Sequence, residues 1–139
     1  MEEWGKAQSP FDAPGKIYEF LKERAQSEEQ EVLYVLTLDS KLRLTGCTEV
    51  SRGLINQTLV HPREVFRLAV MLNAAHIVLA HNHPSGDPKP SPDDIRSTRE
   101  IQEAGEVLGI PLLDHVIIGR PMAANRHGFT SLKQTGIFS

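Results

Sequence analysis

The chain has 139 residues, 40% of them apolar and 24% charged, with a formal net charge of −3 and a single cysteine. This length suits one compact unit that buries about two-thirds of its unfolded surface. The negative balance gives no general attraction for nucleic-acid phosphates, one thiol excludes an intrachain disulfide framework, and no apolar run reaches membrane-spanning length.

No signal peptide is apparent at Met1-Glu2-Glu3, so the cytoplasm is the expected compartment. Residues 1–12 read as a loosely ordered lead. From Pro14 to Gln26, Ile17, Phe20, Leu21 and Ala25 recur at helical spacing. Residues 31–39, 42–50 and 54–60 carry strand patterns, the first two joined at Asp39-Ser40-Lys41. Residues 62–72 form an amphipathic helix expected to turn Val65, Phe66, Ala69, Val70 and Leu72 inward. Residues 77–83 are an apolar strand that ends in histidines. Residues 92–108 make the next helix, stopped by Gly109 and Pro111. Residues 112–118 are another apolar strand, and 129–132 a short edge. No repeat, low-complexity tract or interdomain linker interrupts them. The mixed order gives an α/β (α+β mixed) class, a twisted mixed β-sheet flanked by helices.

One stretch carries chemistry. His81 and His83 continue the run Ile77-Val78-Leu79-Ala80, and residues i and i+2 of a strand project from the same face. Pro84, Pro88 and Pro90 stiffen the following loop, while Gly86 allows a sharp turn. Ser91-Pro92-Asp93-Asp94 then reads as a helix start, with Ser91 as N-cap and Pro92 at the first helical position. A loop of this kind can return Asp94 toward both imidazoles. Ser91 with Asp94 is also a near-match to a capping box, which needs no metal. Six histidines would produce an His-x-His pair by chance in about one chain in four. Requiring Ser91 and Asp94 at set offsets lowers chance below roughly one in a thousand. Two imidazoles and one carboxylate with an open position are the layout of a hydrolytic zinc centre.

The other candidates carry less. His61 precedes Pro62 at a strand-to-helix junction, where it can cap. His76 starts the histidine-bearing strand but lies too far along it to reach the ion. Asp114-His115 is either a buried hydrogen-bonded pair or a means of orienting a ligand imidazole. His127 sits in a polar, exposed segment. Cys47 lacks the setting of a nucleophile and reads as a small packed residue.

The pattern His81-x-His83-x7-Ser91-x2-Asp94 resembles the JAMM signature of the JAB/MPN metalloprotease superfamily. Arg63-Glu64-Val65-Phe66, Asn73-Ala74-Ala75, Leu79 through Pro88 and Asp114-His115-Val116-Ile117-Ile118-Gly119 resemble bacterial RadC-type proteins more narrowly. The resemblance covers residues 11–137 and implies a single JAB/MPN domain over residues 13–139, with one zinc ion per chain held by His81, His83 and Asp94. It also implies an upstream glutamate that works on water as a general base. Glu31, opening the first strand, is the best match, with Glu28 and Glu29 nearby; read without the resemblance, Glu31 is a solvated acid between helix and strand. Ser91 would steady the developing oxyanion. The implied activity is hydrolysis of a peptide or isopeptide bond, in a protein or peptide substrate with a ubiquitin-like conjugate among the candidates. Longer RadC-type proteins carry a helix-hairpin-helix-like region at the N-terminus, and nothing comparable is visible here.

Two other classes compete. A DNA-associated repair or recombination protein, or a nuclease, is suggested by the RadC name and by the literal His81-Asn82-His83 string. HNH nucleases, however, spread their residues over a ββα unit, and the acidic balance disfavours phosphate binding. A non-haem iron oxygenase also uses two histidines and a carboxylate, but places the carboxylate beside the first histidine.

Overall fold

The structure, a computed structural model, describes residues 9–53 and 60–137. Helix α1 (Pro14–Gln26) starts on a proline and buries Ile17, Tyr18, Leu21 and Ala25 along one stripe. Strand β1 (Val32–Leu38) follows, with every residue but Leu33 buried. At its end Asp39 Oδ1 accepts the N–H groups of Lys41 and Arg43, each at 2.9 Å, and Leu42 takes a left-handed φ of 64°. That turn occupies residues 39–43, so β2 runs Leu44–Arg52, two residues later than its expected 42–50. The third expected strand, 54–60, lies outside the described residues apart from Val60, which is in no strand.

Helix α2 (Pro62–Met71) is capped by His61, whose Nδ1 accepts the Arg63 N–H at 3.0 Å. Its inward face is narrower than expected. Val65, Phe66 and Ala69 are buried, but Val70 and Leu72 are 59% and 43% exposed, because Val70 turns a further 100° beyond Ala69 and Leu72 lies past the helix end as its C-cap. Strand β3 spans His76–Asn82, helix α3 Pro92–Leu108, β4 Leu112–Ile118 and β5 Phe129–Ser131. Gly109 ends α3 in the left-handed conformation, with φ 74°.

The five strands form one mixed sheet in the order β2-β1-β3-β4-β5, antiparallel except where β3 lies parallel to β4. Helix α1 covers one face over Tyr34, Leu36, Val78, Ala80, Val116 and Ile118. Helices α2 and α3 cover the other over Val35, Ile77, Leu79 and Ile117. The chain thus has the expected α/β architecture. Strand alternation then decides which side chains meet α3. On β3, Ile77, Leu79 and His81 point toward it, while Val78, Ala80 and Asn82 point toward α1.

Helix α3 approaches the core closely at Gly105. A Cβ there would lie 2.6 Å from the Ile110 carbonyl oxygen and 3.2 Å from Phe66 Cζ. Alanine would add about 1 kcal/mol of helix propensity, but the backbone contact cannot relax cheaply. Gly105→Ala is therefore expected to lower the unfolding free energy by about 1–2 kcal/mol, measured by urea denaturation. An unchanged or higher midpoint would contradict this packing.

Candidate metal centre

Three side chains converge where β3 ends and α3 begins. His81 is the penultimate residue of β3, and His83 lies one residue past its end, still held in line by its N–H on the Ile118 carbonyl at 2.9 Å. The loop returns through a tight turn in which the Gly86 N–H bonds the His83 carbonyl at 2.8 Å. Asp94 sits in the first turn of α3. Its Nε2 neighbours are His81, 3.2 Å from Oδ1, and His83, 3.2 Å from Oδ2.

The capping box is real and does not compete with this cluster. Ser91 Oγ accepts the Asp94 N–H at 3.0 Å, and the Ser91 N–H donates to Asp94 Oδ2 at 2.8 Å. The box fixes the rotamer that presents the Asp94 carboxylate to the imidazoles. Burial alone would raise the Asp94 pKa, but the His81 and His83 imidazoles that face it, with the Ser91 N–H, hold it well below the usual carboxylate range. Asp94 is an anion.

Proton accounting shows what such a cluster suits. His83 Nδ1 lies 2.9 Å from the Asp87 carbonyl, which can only accept, so Nδ1 carries the hydrogen and neutral His83 turns a bare Nε2 toward Asp94. His81 Nε2 is buried and makes no hydrogen bond among the described residues. Neutral His83 therefore has no proton to offer Asp94, and a hydrogen between them requires that the histidine be charged. For His83 burial works against the charged form, yet the Asp94 hydrogen bond and the Asp87 carbonyl outweigh it and raise its pKa overall. The alternative to that proton is a cation. A tetrahedral ion with ligands at about 2.1 Å needs ligand atoms roughly 3.4 Å apart. Each N–O distance, one to Oδ1 and one to Oδ2, is close to this, and one ligand atom from each residue lies within 4.8 Å of the others. The donor set fits a small divalent ion such as zinc. With His83 and Asp94 each 14% exposed, the cluster also reaches solvent.

Among the three upstream acids, geometry separates the candidates. Glu28 is held by Arg52 through bonds of 2.6 and 3.1 Å, and Glu29 is exposed. Glu31 is partly buried and precedes β1. The β1–β3 register pairs Leu33 with His81, and continuing it by two residues brings Glu31 opposite His83. The Glu31 charge is felt at His83, where it favours the protonated form.

The backbone around Glu31 is fixed by a residue with no chemistry of its own to perform. Asn82 points to the α1 side of the sheet. Its Oδ1 accepts the Val32 N–H at 2.7 Å and its Nδ2 donates to the Gln30 carbonyl at 3.0 Å. Both bonds flank Glu31. The middle letter of the His-Asn-His string is thus a strap between strands rather than part of a nuclease motif. Below the cluster, His81 Nδ1 contacts His115 Nε2 at 2.8 Å, and Thr98 lies against the other His115 nitrogen. Asp114 does not share this position. Its carboxylate faces away, toward the Ser131 hydroxyl at 2.6 Å and the Lys133 N–H at 3.1 Å, and burial raises its pKa. Cys47 is partly buried, and burial pushes its thiol pKa up, as suits a packed residue rather than a nucleophile. The sequence offers one signal for Thr98, its i+4 offset from Asp94, and none for the strap made by Asn82.

Comparison with known proteins adds the context. A family model described as RadC-like JAB domain matches residues 11–137. A UPF0758 protein of Trichlorobacter lovleyi is 48% identical over 109 residues, 78% of this chain and 47% of that protein. Another, from Clostridium perfringens, is 44% identical over 131 residues, 94% of this chain and 55% of its own length. A third, from Desulforudis audaxviator, is 42% identical over 134 residues, 96% of this chain and 56% of its own length. The chain spans about half the length of the curated relatives it matches.

The loop carrying His83 depends on Gly119. A Cβ there would overlap the Gly86 carbonyl and lie 2.9 Å from Pro88 Cδ, while the neighbouring Arg120 N–H bonds that same carbonyl at 2.8 Å. Gly119→Ala is expected to push the loop off β4, costing about 1–3 kcal/mol of stability and weakening divalent-ion binding. Thermal melts and a zinc titration would read both effects. A variant with unchanged stability and zinc affinity would show that the loop is not braced in this way.

Proposed function

Because the chain belongs to the RadC-like JAB domain family, we propose that it is a metal-dependent hydrolase that cleaves a peptide or isopeptide bond, with zinc held by His81, His83 and Asp94. The observation that carries this is the meeting of two imidazole nitrogens and a carboxylate, in which neutral His83 has no proton to offer Asp94. When bound, a zinc ion supplies Lewis acidity, enough to bring the pKa of a coordinated water to about 7.

The residues divide the remaining work. His81 and His83 contribute neutral lone pairs and Asp94 one negative charge, so the set leaves a divalent ion a net positive charge. Glu31 takes the proton of the attacking water on its carboxylate as oxygen adds to the carbonyl carbon. It then delivers that proton to the leaving nitrogen as the C–N bond breaks, a role worth about 10²- to 10⁴-fold. Ser91, whose oxygen accepts the Asp94 N–H, donates its hydroxyl hydrogen to the developing oxyanion, a contribution typically of about 3 kcal/mol. No acyl-enzyme is required, so Ser91 and Ser85 are not nucleophiles. The substrate is a protein or peptide, with a ubiquitin-like conjugate among the candidates. Among the described residues no helix is long and apolar enough to cross a membrane. The cytoplasm is the proposed setting.

Two variants test separate parts of the proposal. His83→Ala should lose most of the bound metal and melt at lower temperature, because the ion would tie the end of β3 to the start of α3. Glu31→Gln should retain one zinc per chain by elemental analysis and lose at least about 100-fold in peptide-library cleavage. Normal turnover by Glu31→Gln would show that the base has been wrongly assigned.

A further inference from the structure

Beneath the metal cluster lie two buried polar side chains that the proposed chemistry does not use. Thr98, on α3, is fully buried, and His115, on β4, is 3% exposed. The parallel register sets His115 beside Leu79, so its ring points to the α3 side of the sheet, 4.9 Å between centroids from His81. The contacts run in sequence. Thr98 Oγ1 is 2.7 Å from the Asp94 carbonyl and 2.6 Å from His115 Nδ1, and His115 Nε2 is 2.8 Å from His81 Nδ1.

Each link dictates the next. A carbonyl cannot donate, so the single Thr98 hydroxyl hydrogen goes to Asp94. Toward His115 the Thr98 oxygen can then only accept, which places a hydrogen on His115 Nδ1. His115 is 3% exposed and its two ring nitrogens meet only a hydroxyl and an imidazole, with no carboxylate to balance a charge, so the ring is neutral. Its Nε2 is therefore a bare acceptor, and His81 must donate from Nδ1. The lone pair of His81 is left on Nε2, the buried nitrogen that lies 3.2 Å from Asp94 Oδ1 and makes no hydrogen bond. The sequence of bonds starts at the backbone of one ligand and ends at the ring of another.

We propose that Thr98 and His115 are positioning residues that lock His81 in its Nδ1–H tautomer, so that Nε2 presents a lone pair to the cation. The proposal rests on the metal reading for its purpose, although the tautomer itself does not. A neutral imidazole behind His81, in place of the carboxylate common at such positions, adds no negative charge and leaves the positive charge of the ion undiminished.

The test uses the full chain and two readouts. Long-range ¹H–¹⁵N correlation spectra of the metal-free protein at pH 8 report the His81 tautomer. Competition with a chromophoric chelator reports affinity for zinc alone. Wild type should show His81 protonated at Nδ1. Thr98→Val and His115→Leu should shift His81 toward the Nε2–H form and weaken zinc binding about 10- to 100-fold. Thr98→Ser keeps the hydroxyl, and His115→Gln keeps an acceptor where Nε2 stood, so both should stay near wild type in both readouts. A purely space-filling role would instead leave Thr98→Val unchanged, since valine has the same shape. Wild-type His81 protonated at Nε2, or a Thr98→Val protein with unaltered tautomer and affinity, would overturn the proposal. If zinc fails to bind wild type while His81 is protonated at Nδ1, the metal reading falls and the tautomer lock stands.

Discussion

The Asp94 carboxylate is the constraint on which the rest depends. It closes the capping box at the start of α3 through the Ser91 N–H, and it faces two imidazoles from the end of β3. Neither duty alone would fix the site. The box sets where the carboxylate points, and the register of β3 against β4 sets where the imidazoles point. The loop between them must then be short, stiff and closely packed, which the prolines, the buried Pro88 and the contact with Gly119 provide. The result is an anion held 3.2 Å from each of two ring nitrogens, an arrangement that suits a small cation able to enter.

Strand alternation distributes labour around that point. Three consecutive residues serve two purposes because they alternate across the sheet. His81 and His83 turn to the α3 side, and Asn82 turns to the α1 side to bind the backbone on both sides of Glu31. A shift of one residue in the β1–β3 register would invert all of these assignments. The buried strands that fix the register are therefore part of the site as much as the side chains displayed on it.

Much of this was legible in the sequence. Helices α1 and α3 start at Pro14 and Pro92 and end where their periodicity stops, at Gln26 and before Gly109, and the structure has the same bounds. Their punctuation is local chemistry, readable without tertiary contacts. The start of β2 was displaced because Asp39 builds a wider turn, with Leu42 in a left-handed conformation that leucine rarely signals. The inward face of α2 was overdrawn because apolar residues at its C-terminal end do not all find a neighbour. Within the site, the His81, His83 and Asp94 spacing was visible as a motif. Among Glu28, Glu29 and Glu31 the sequence singles out Glu31 only through the family resemblance, and its place opposite His83 appears only once β1 is paired with β3. Asn82 and Gly119 act through partners that lie far off in the chain (Gln30 with Val32, and Gly86), so spacing could not nominate them, and the i+4 offset of Thr98 from Asp94 does not reveal its contact with His115.

The central claim is that one divalent cation is held by two imidazoles and the Asp94 carboxylate. X-ray absorption spectroscopy at the zinc edge, on the full chain loaded with one equivalent of zinc, tests it most directly. The expected spectrum has nitrogen and oxygen scatterers only, at about 2.0–2.1 Å, with the outer-shell pattern of two imidazoles. That pattern should drop to one imidazole when His81 or His83 is replaced. A sulfur scatterer at about 2.3 Å, or an imidazole count insensitive to both replacements, would contradict the account.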